Sequence, residues 1–136
     1  MQNSALTQGA HHIGLTVPDL NQSKNFFLQI LGFKQVGEVP SYPAAFVSDG
    51  ITMITLWQAV DPKDAIPFDR KNIIGLHHLA LKVPSSQALE RLYATLLNTA
   101  DVEIEFAPQN LGKGPTQHMM IYIPGGIRLE LIAPAA

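Results

Sequence analysis

One eight-residue pattern occurs twice in the chain and indicates how the chain folds. Residues 11–18 read His-His-Ile-Gly-Leu-Thr-Val-Pro, and residues 77–84 read His-His-Leu-Ala-Leu-Lys-Val-Pro. Five of the eight positions are identical, and the two copies lie 66 residues apart in a chain of 136. Repetition at about half the chain length predicts two copies of one supersecondary module.

Each copy is followed by the same order of predicted elements. A capping residue, Asp19 or Ser85, opens a stretch with apolar residues at helical spacing. Three strands then follow each helix, the last two joined by a hairpin turn at 48–50 or 124–126. The predicted strands after the helices lie near 34–39, 44–48 and 51–57 in the first copy, and near 102–107, 117–123 and 127–132 in the second.

These elements predict one β-α-β-β-β module over residues 10–58 and a second over residues 76–134. Residues 59–75, which contain two prolines and several charges, read as the linker between them. We expect both modules to belong to a single domain that spans residues 1–136, a length typical of one domain with its own hydrophobic core.

Composition excludes several classes of function. Nine Lys and Arg against eleven Asp and Glu give a net charge of −2 without any basic run, which argues against nucleic-acid and membrane partners. The absence of Cys removes thiolate metal sites, disulfides and thiol nucleophiles, and leaves His and carboxylates as metal ligands. Residues 1–9 lack a secretory pattern and no apolar run is long enough to span a membrane, so we expect a cytoplasmic protein.

Strand alternation sorts the side chains of each module into two rows. The apolar row of each first strand suits packing under the helix, and the opposite row carries His12 in one module and His78 in the other. On the last strand of the second module, Glu130 also falls on the face away from the helix. If those faces line one concavity, the three side chains can converge.

This pattern resembles the vicinal oxygen chelate superfamily, which includes glyoxalase I, fosfomycin-resistance proteins, bleomycin-resistance proteins and extradiol dioxygenases. The resemblance is carried by residues 12–17, 27–33, 78–83 and 124–131. It implies an α+β fold in which two tandem βαβββ modules form an open, barrel-like cup, the glyoxalase/bleomycin resistance/dioxygenase fold.

The same resemblance implies a metal centre. Carried over by position, the ligands are His12, His78 and Glu130, and the metal is a divalent ion of Fe, Mn, Ni, Co or Zn. Two His and one carboxylate suit such an ion and leave positions for water or substrate. The equivalent of Glu130 in the first module is Thr55, or Ile54 if positions are counted from the turn glycine. Neither is a carboxylate, whereas the glyoxalase I pattern has Glu there.

We therefore expect a metalloenzyme whose small substrate chelates the ion through adjacent oxygens, either dioxygenase-like or lyase- or transferase-like. Glyoxalase I proper is less favoured because Thr55 replaces a Glu ligand. The alternative is a metal-free small-molecule or drug-binding protein of the bleomycin-resistance type. A homodimer is compatible with the family.

Further candidate residues lie on the strands around these ligands. His118 and Tyr122 share one face of a strand and are the candidate catalytic groups. Met120, between them, stands where extradiol dioxygenases have Tyr. The candidate substrate-binding residues are Thr55, Trp57, Met53, Met120 and Arg128.

Each candidate also has a plain structural interpretation. His12 and His78 could be ordinary hydrogen-bonded strand residues, and Glu130 could form an ion pair with Arg128 or Lys82. Trp57 and Met53 are as well suited to core packing as to substrate contact. The neighbouring His11 and His77 have the other parity, which predicts structural roles near the helix ends.

Overall fold

Each half of the chain forms one four-stranded sheet. The computed structural model describes residues 4–135, and the chain divides into two compact units between Val60 and Asp61. The first unit contains β1 (His12–Val17), α1 (Leu20–Asn25), a π-helical turn (Phe26–Ile30), β2 (Lys34–Val39), β3 (Ala44–Ser48) and β4 (Met53–Gln58). The second contains β5 (Leu79–Lys82), α2 (Ser86–Leu96), β6 (Glu103–Asn110), β7 (Gln117–Tyr122) and β8 (Arg128–Ala133).

The two sheets have the same topology. Their strand orders are β1-β4-β3-β2 and β5-β8-β7-β6. In each sheet the first strand of the module lies at the edge and pairs in parallel with the last strand. The other pairings in both sheets are antiparallel. Neither sheet closes on itself, and the expected fold of two tandem βαβββ modules is confirmed.

The predicted caps begin both helices. The side chain of Asp19 accepts a hydrogen bond from the backbone N–H of Gln22 at 3.1 Å, and the hydroxyl of Ser85 accepts one from the N–H of Ala88 at 3.1 Å. These bonds satisfy amide groups that have no partner within the helix. After the first helical segment, Gly32 turns the chain with a φ of +77°, a conformation that favours glycine.

Strand alternation places the apolar rows in the two cores. Leu15 and Val17 are buried in the first unit, as are Leu79 and Leu81 in the second, whereas Ala80 between them is exposed. The central and last strands are buried on both faces, and β8 has only one residue that is not buried. A polar side chain on β8 therefore needs a partner inside the protein. Within residues 4–135, no helix is long and apolar enough to cross a bilayer.

Candidate functional site

The carboxylate of Glu130 is the centre of the candidate site in the second unit. Glu130 lies on β8 between Ala80 of β5 and Met120 of β7, and only 7% of its surface is exposed. One carboxylate oxygen lies 3.0 Å from Nε2 of His78, and the other lies 2.6 Å from Nδ1 of His118. Burial of a carboxylate is costly without such partners. Two histidines supply them, in place of the Arg128 or Lys82 ion pair considered from the sequence.

His118 is held from two sides. Its Nδ1 donates to Glu130, since an ionised carboxylate can only accept. Its ring packs edge-on against Phe106 of β6, with ring centroids 5.0 Å apart. This nearly buried histidine therefore fixes the orientation of the carboxylate of Glu130.

The paired histidines contact each other in the same way in both units. The Nδ1 atoms of His77 and His78 are 2.7 Å apart, and those of His11 and His12 are 2.9 Å apart. At these distances, one ring of each pair donates and the other accepts. Both His11 and His77 are exposed, so their duplication reflects contact with the next histidine rather than packing near the helices.

A cluster of charges lies beside this site. Both oxygens of Glu105 bind Arg128, with Nε–Oε1 and Nη2–Oε2 distances of 2.8 Å. Arg70, from the segment before β5, binds the same carboxylate through Nη1. The Arg128 guanidinium, helped by Tyr122 and then by Arg70, holds the pKa of Glu105 at about 2 although burial acts in the opposite direction. The same contact raises the pKa of Arg128.

Tyr122 lies at the edge of this cluster and of a cavity. Its hydroxyl accepts a hydrogen bond from Nη1 of Arg70 at 3.0 Å. The cavity has a volume of about 250 Å³ and is lined by Phe68, Asp69, Arg70, Lys71 and Tyr122. Tyr122 is thus accessible to a small molecule, whereas Arg128 is 7% exposed and engaged by Glu105.

In the first unit, strand register identifies Thr55 as the structural counterpart of Glu130. Gly14 of β1 pairs with Thr55, and Ala80, its equivalent in the repeat, pairs with Glu130. The register thus agrees with the alignment on Thr55 and not on Ile54, which points into the core. By the same register, Met53, which pairs with His12, is the counterpart of Arg128.

Thr55 already has a hydrogen-bond partner. Trp57 donates from its indole nitrogen to the hydroxyl of Thr55 at 2.8 Å, and Thr55 is 2% exposed. The indole ring packs against Tyr42 and Phe46, with centroid distances of 4.7 and 5.8 Å. A Cβ at Gly14 would lie 3.1 Å from the Thr55 hydroxyl, so the glycine makes room for this pair.

The structure brings three of the predicted site residues together within the second unit. His78, His118 and Glu130 form one hydrogen-bonded group, with Met120, Tyr122 and Arg128 on neighbouring positions of the same sheet. The remaining candidates, His12, Met53, Thr55 and Trp57, lie in the sheet of the first unit.

Sequence reasoning missed Arg70, Glu105 and the partnership between His77 and His78. The duplicated His-His pair was the signal for the last. Glu105 lies at a β-bulge between Ile104 and Phe106. The bulge interrupts the alternation of side chains, so strand parity does not predict the face on which Glu105 lies. Arg70 lies in the linker and carried no signal.

The donors in the second unit fit part of a metal site. Among residues 4–135, no three or more His, Cys, Asp or Glu side chains are arranged so that together they could hold a metal ion. His78 and Glu130 nevertheless present an imidazole nitrogen and a carboxylate oxygen to each other, the donor types preferred by divalent transition metals.

Two successive βαβββ modules of the same topology place this chain among proteins built from a duplicated βαβββ unit. The sequence profile of the Glyoxalase/Bleomycin resistance protein/Dioxygenase superfamily matches residues 9–131, and the chain belongs to this family. Its members commonly use divalent metals, bind small molecules and often form dimers.

Solved structures of the same family are similar over almost the whole chain. A glyoxylase/bleomycin resistance protein/dioxygenase domain from Frankia sp. is 25% identical, with a TM-score of 0.81 over 95% of this chain and 93% of that one. Lactoylglutathione lyase from Agrobacterium tumefaciens is 17% identical, with a TM-score of 0.70 over 95% and 96%. The fosfomycin resistance protein FosX from Listeria monocytogenes is 19% identical, with a TM-score of 0.70 over 96% of each chain. No curated protein matches the sequence significantly.

Proposed function

We propose that this chain is a metal-dependent enzyme that acts on a small substrate with adjacent oxygen atoms. His78 and Glu130 provide metal ligands in the second unit. The observation that carries the proposal is the contact between Nε2 of His78 and a buried oxygen of Glu130 at 3.0 Å. Two neighbouring ligands, each about 2.1 Å from one metal ion, lie about 3.0 to 3.4 Å apart, so this spacing suits a shared ion.

The surrounding residues prepare these ligands. His118 donates to the second oxygen of Glu130 and turns the first toward His78. His77 contacts the far ring nitrogen of His78 and so orients that ring. A divalent metal held there would supply Lewis-acid stabilisation to negative charge on substrate oxygens. We assign to Tyr122, which borders the cavity in the second unit, the role of proton donor or acceptor toward the substrate.

The role of His12 follows from the repeat. His12, like His78, contacts the neighbouring histidine through Nδ1, which leaves Nε2 as the nitrogen that would bind an ion. We propose His12 as the third ligand. Because Thr55 stands where glyoxalase I has a Glu ligand, we favour dioxygenase-like or lyase- or transferase-like chemistry over that of glyoxalase I proper.

Metal titration of the untagged protein tests the proposal. Glu130→Gln keeps the shape of the side chain but removes the ionised oxygens. We expect calorimetry to show a loss of affinity for Mn²⁺, Ni²⁺ or Zn²⁺ of more than about 100-fold, beyond the loss caused by removing a partner of a ligand. His78→Ala and His12→Ala should each weaken binding, and the exposed Lys82→Ala on β5 is the control. A wild-type protein that binds none of Fe²⁺, Mn²⁺, Ni²⁺, Co²⁺ and Zn²⁺ contradicts the proposal.

The aromatic group in the first unit supports a second candidate, a metal-free binding protein. Trp57, the single tryptophan of the chain, packs with Tyr42 and Phe46, and its indole nitrogen is bound to Thr55. Flat apolar ligands suit such a surface. Quenching of Trp57 fluorescence by aromatic compounds in the presence of a chelator, unchanged in His78→Ala, would favour this candidate over the enzyme.

A further inference from the structure

We propose that the cavity beside Tyr122 binds an oxyanion, the carboxylate or phosphate group of a small molecule, through Arg70 and Lys71. The cavity has a volume of about 250 Å³ and is lined by five residues of the second unit, Phe68, Asp69, Arg70, Lys71 and Tyr122. Two of these five carry a positive charge, and Phe68 and Tyr122 add aromatic surface. A few polar groups on an otherwise apolar wall are typical of a site for a small molecule.

The guanidinium of Arg70 has donors left for a ligand. Its Nη1 binds Glu105 and the hydroxyl of Tyr122, whereas its Nε and Nη2 bind no other group among residues 4–135. The neighbouring Arg128 uses these same two nitrogens to bind both oxygens of Glu105, at 2.8 Å each. This edge of a guanidinium fits two oxygens of a carboxylate or phosphate side by side. Because the side chain of Arg70 is 26% exposed, a ligand from solution can reach it.

The charges around the cavity favour an anion. The lining residues and the ion-pair cluster to which Arg70 belongs carry three positive charges, on Arg70, Lys71 and Arg128, and two negative charges, on Asp69 and Glu105. Glu105 is thus one carboxylate shared by two arginines. The ammonium of Lys71 forms no ion pair among the described residues. A concave surface with an excess of positive charge raises the local concentration of small anions.

Hydrogen bonds hold the cavity lining in place before a ligand binds. The carboxylate of Asp69 accepts from the backbone N–H of Lys71 at 2.9 Å, and its carbonyl accepts from the N–H of Ile73 at 3.3 Å. The contacts of Arg70 with Glu105 attach the same turn to the sheet. A lining that is already ordered costs less conformational entropy when a ligand binds than a loose loop would.

Strand register relates this oxyanion site to the proposed metal ligand. Tyr122 pairs with Arg128 and Met120 pairs with Glu130, so the two pairs are two residues, or about 7 Å, apart along the strands. A substrate that reaches both places is a small acid in which a short carbon chain separates the adjacent oxygens from the oxyanion. This assignment to the substrate rests on the proposed function, whereas binding of an oxyanion by Arg70 does not.

NMR titration of the metal-free protein with benzoate and benzamide tests the inference. The two molecules have nearly the same shape, but only benzoate carries a carboxylate. We expect benzoate to shift the amide signals of residues 68–71 and the ring signals of Tyr122 until they saturate. Benzamide should bind about 10-fold more weakly, the effect of losing one charge-assisted hydrogen bond. Saturable shifts of the same residues with inorganic phosphate instead of benzoate would also support the site and identify its ligand as phosphate-like.

Two variants and a matched control locate the binding. Arg70→Lys keeps the charge but loses the planar edge, and it should weaken binding of the oxyanion by about 10-fold. Lys71→Met should weaken it by about 3-fold, since an exposed ammonium contributes less. Lys63→Met is the control, because Lys63 is exposed in the same segment and does not line the cavity. Lys71→Met also covers the case in which Arg70→Lys loosens the segment.

Two results would overturn the inference. One is equal affinity for benzoate and benzamide without any binding of phosphate, and the other is an oxyanion affinity that neither Arg70→Lys nor Lys71→Met changes. Metal binding separates the inference from the proposed function. If the wild type binds no metal but binds an oxyanion through Arg70 and Lys71, the proposed function fails and the oxyanion site stands. If it binds metal but neither benzoate nor phosphate shifts residues 68–71, the oxyanion site fails and the proposed function stands.

Discussion

At the scale of single residues, Glu105 makes the stability of the protein sensitive to acid. Its pKa falls from 4.5 to about 2 in the folded protein, chiefly because Arg128 binds its carboxylate. A lowered folded pKa stabilises the protein fully above the unfolded pKa and loses that contribution as the pH falls toward the folded pKa. The contribution is at most about 3 kcal/mol, and partial exposure of the carboxylate reduces it further.

Glu105→Gln should remove this pH dependence. The difference in free energy of unfolding between wild type and variant is expected to be constant near neutral pH and to shrink as the pH falls from about 4.5 toward about 2. Denaturant unfolding at a series of pH values measures it. Glu103→Gln, on the same strand but exposed, is the control. A difference that stays constant from about pH 6 to about pH 3 would contradict the assignment.

Strand alternation predicts the face on which a side chain lies but not the partner that it binds. The rows containing His12 and His78 follow from strand parity, and alternating burial along β1 and β5 confirms them, whereas β8 is buried on both faces. The hydrogen bond between His118 and Glu130 could not be predicted, because it depends on the pairing of β7 with β8 and on the rotamers of both side chains.

At the scale of elements, the cap of α2 carries a measurable share of the stability. The hydroxyl of Ser85 satisfies the N–H of Ala88 at the start of an 11-residue helix. Ser85→Ala should lower the free energy of unfolding by about 1 kcal/mol. The next residue provides the control, because Ser86 is exposed and has no capping bond. Equal stabilities of Ser85→Ala and Ser86→Ala in thermal or denaturant unfolding would show that the cap contributes nothing.

Local sequence predicted the positions of the strands but not their irregularities. β2 and β3 have the predicted bounds, whereas β6 runs to Asn110, beyond the predicted end near 107. The π-helical turn from Phe26 to Ile30 allows two successive aromatic side chains to be buried. Such a turn, like the bulge in β6, is decided by packing against the sheet, which no local pattern records.

At the scale of the whole molecule, Arg70 binds the segment of residues 61–75 to the sheet of the second unit. Its guanidinium binds Glu105 on β6 and the hydroxyl of Tyr122 on β7. Without these bonds, residues 61–75 should open more often and be cut faster by thermolysin. A loss of about 1.5 kcal/mol corresponds to roughly 10-fold faster cleavage in Arg70→Met.

The neighbouring residue makes this experiment specific. Lys71 is exposed and has the same charge, so Lys71→Met should leave the cleavage rate unchanged. Equal rates for the two variants would mean that the segment is held by other contacts.

Local sequence signals were sufficient to predict the fold and the strand faces that carry His12 and His78. A repeated octamer, two helix caps and strand alternation are local signals, and each constrains only a few residues at a time. The hydrogen-bond partners depend on tertiary contacts. His118 binds Glu130, His77 binds His78, and Glu105 binds both Arg128 and Arg70. These contacts join residues from different strands and from the linker. Their energies depend on distance, burial and hydrogen-bond direction, which exist only once the strands have paired.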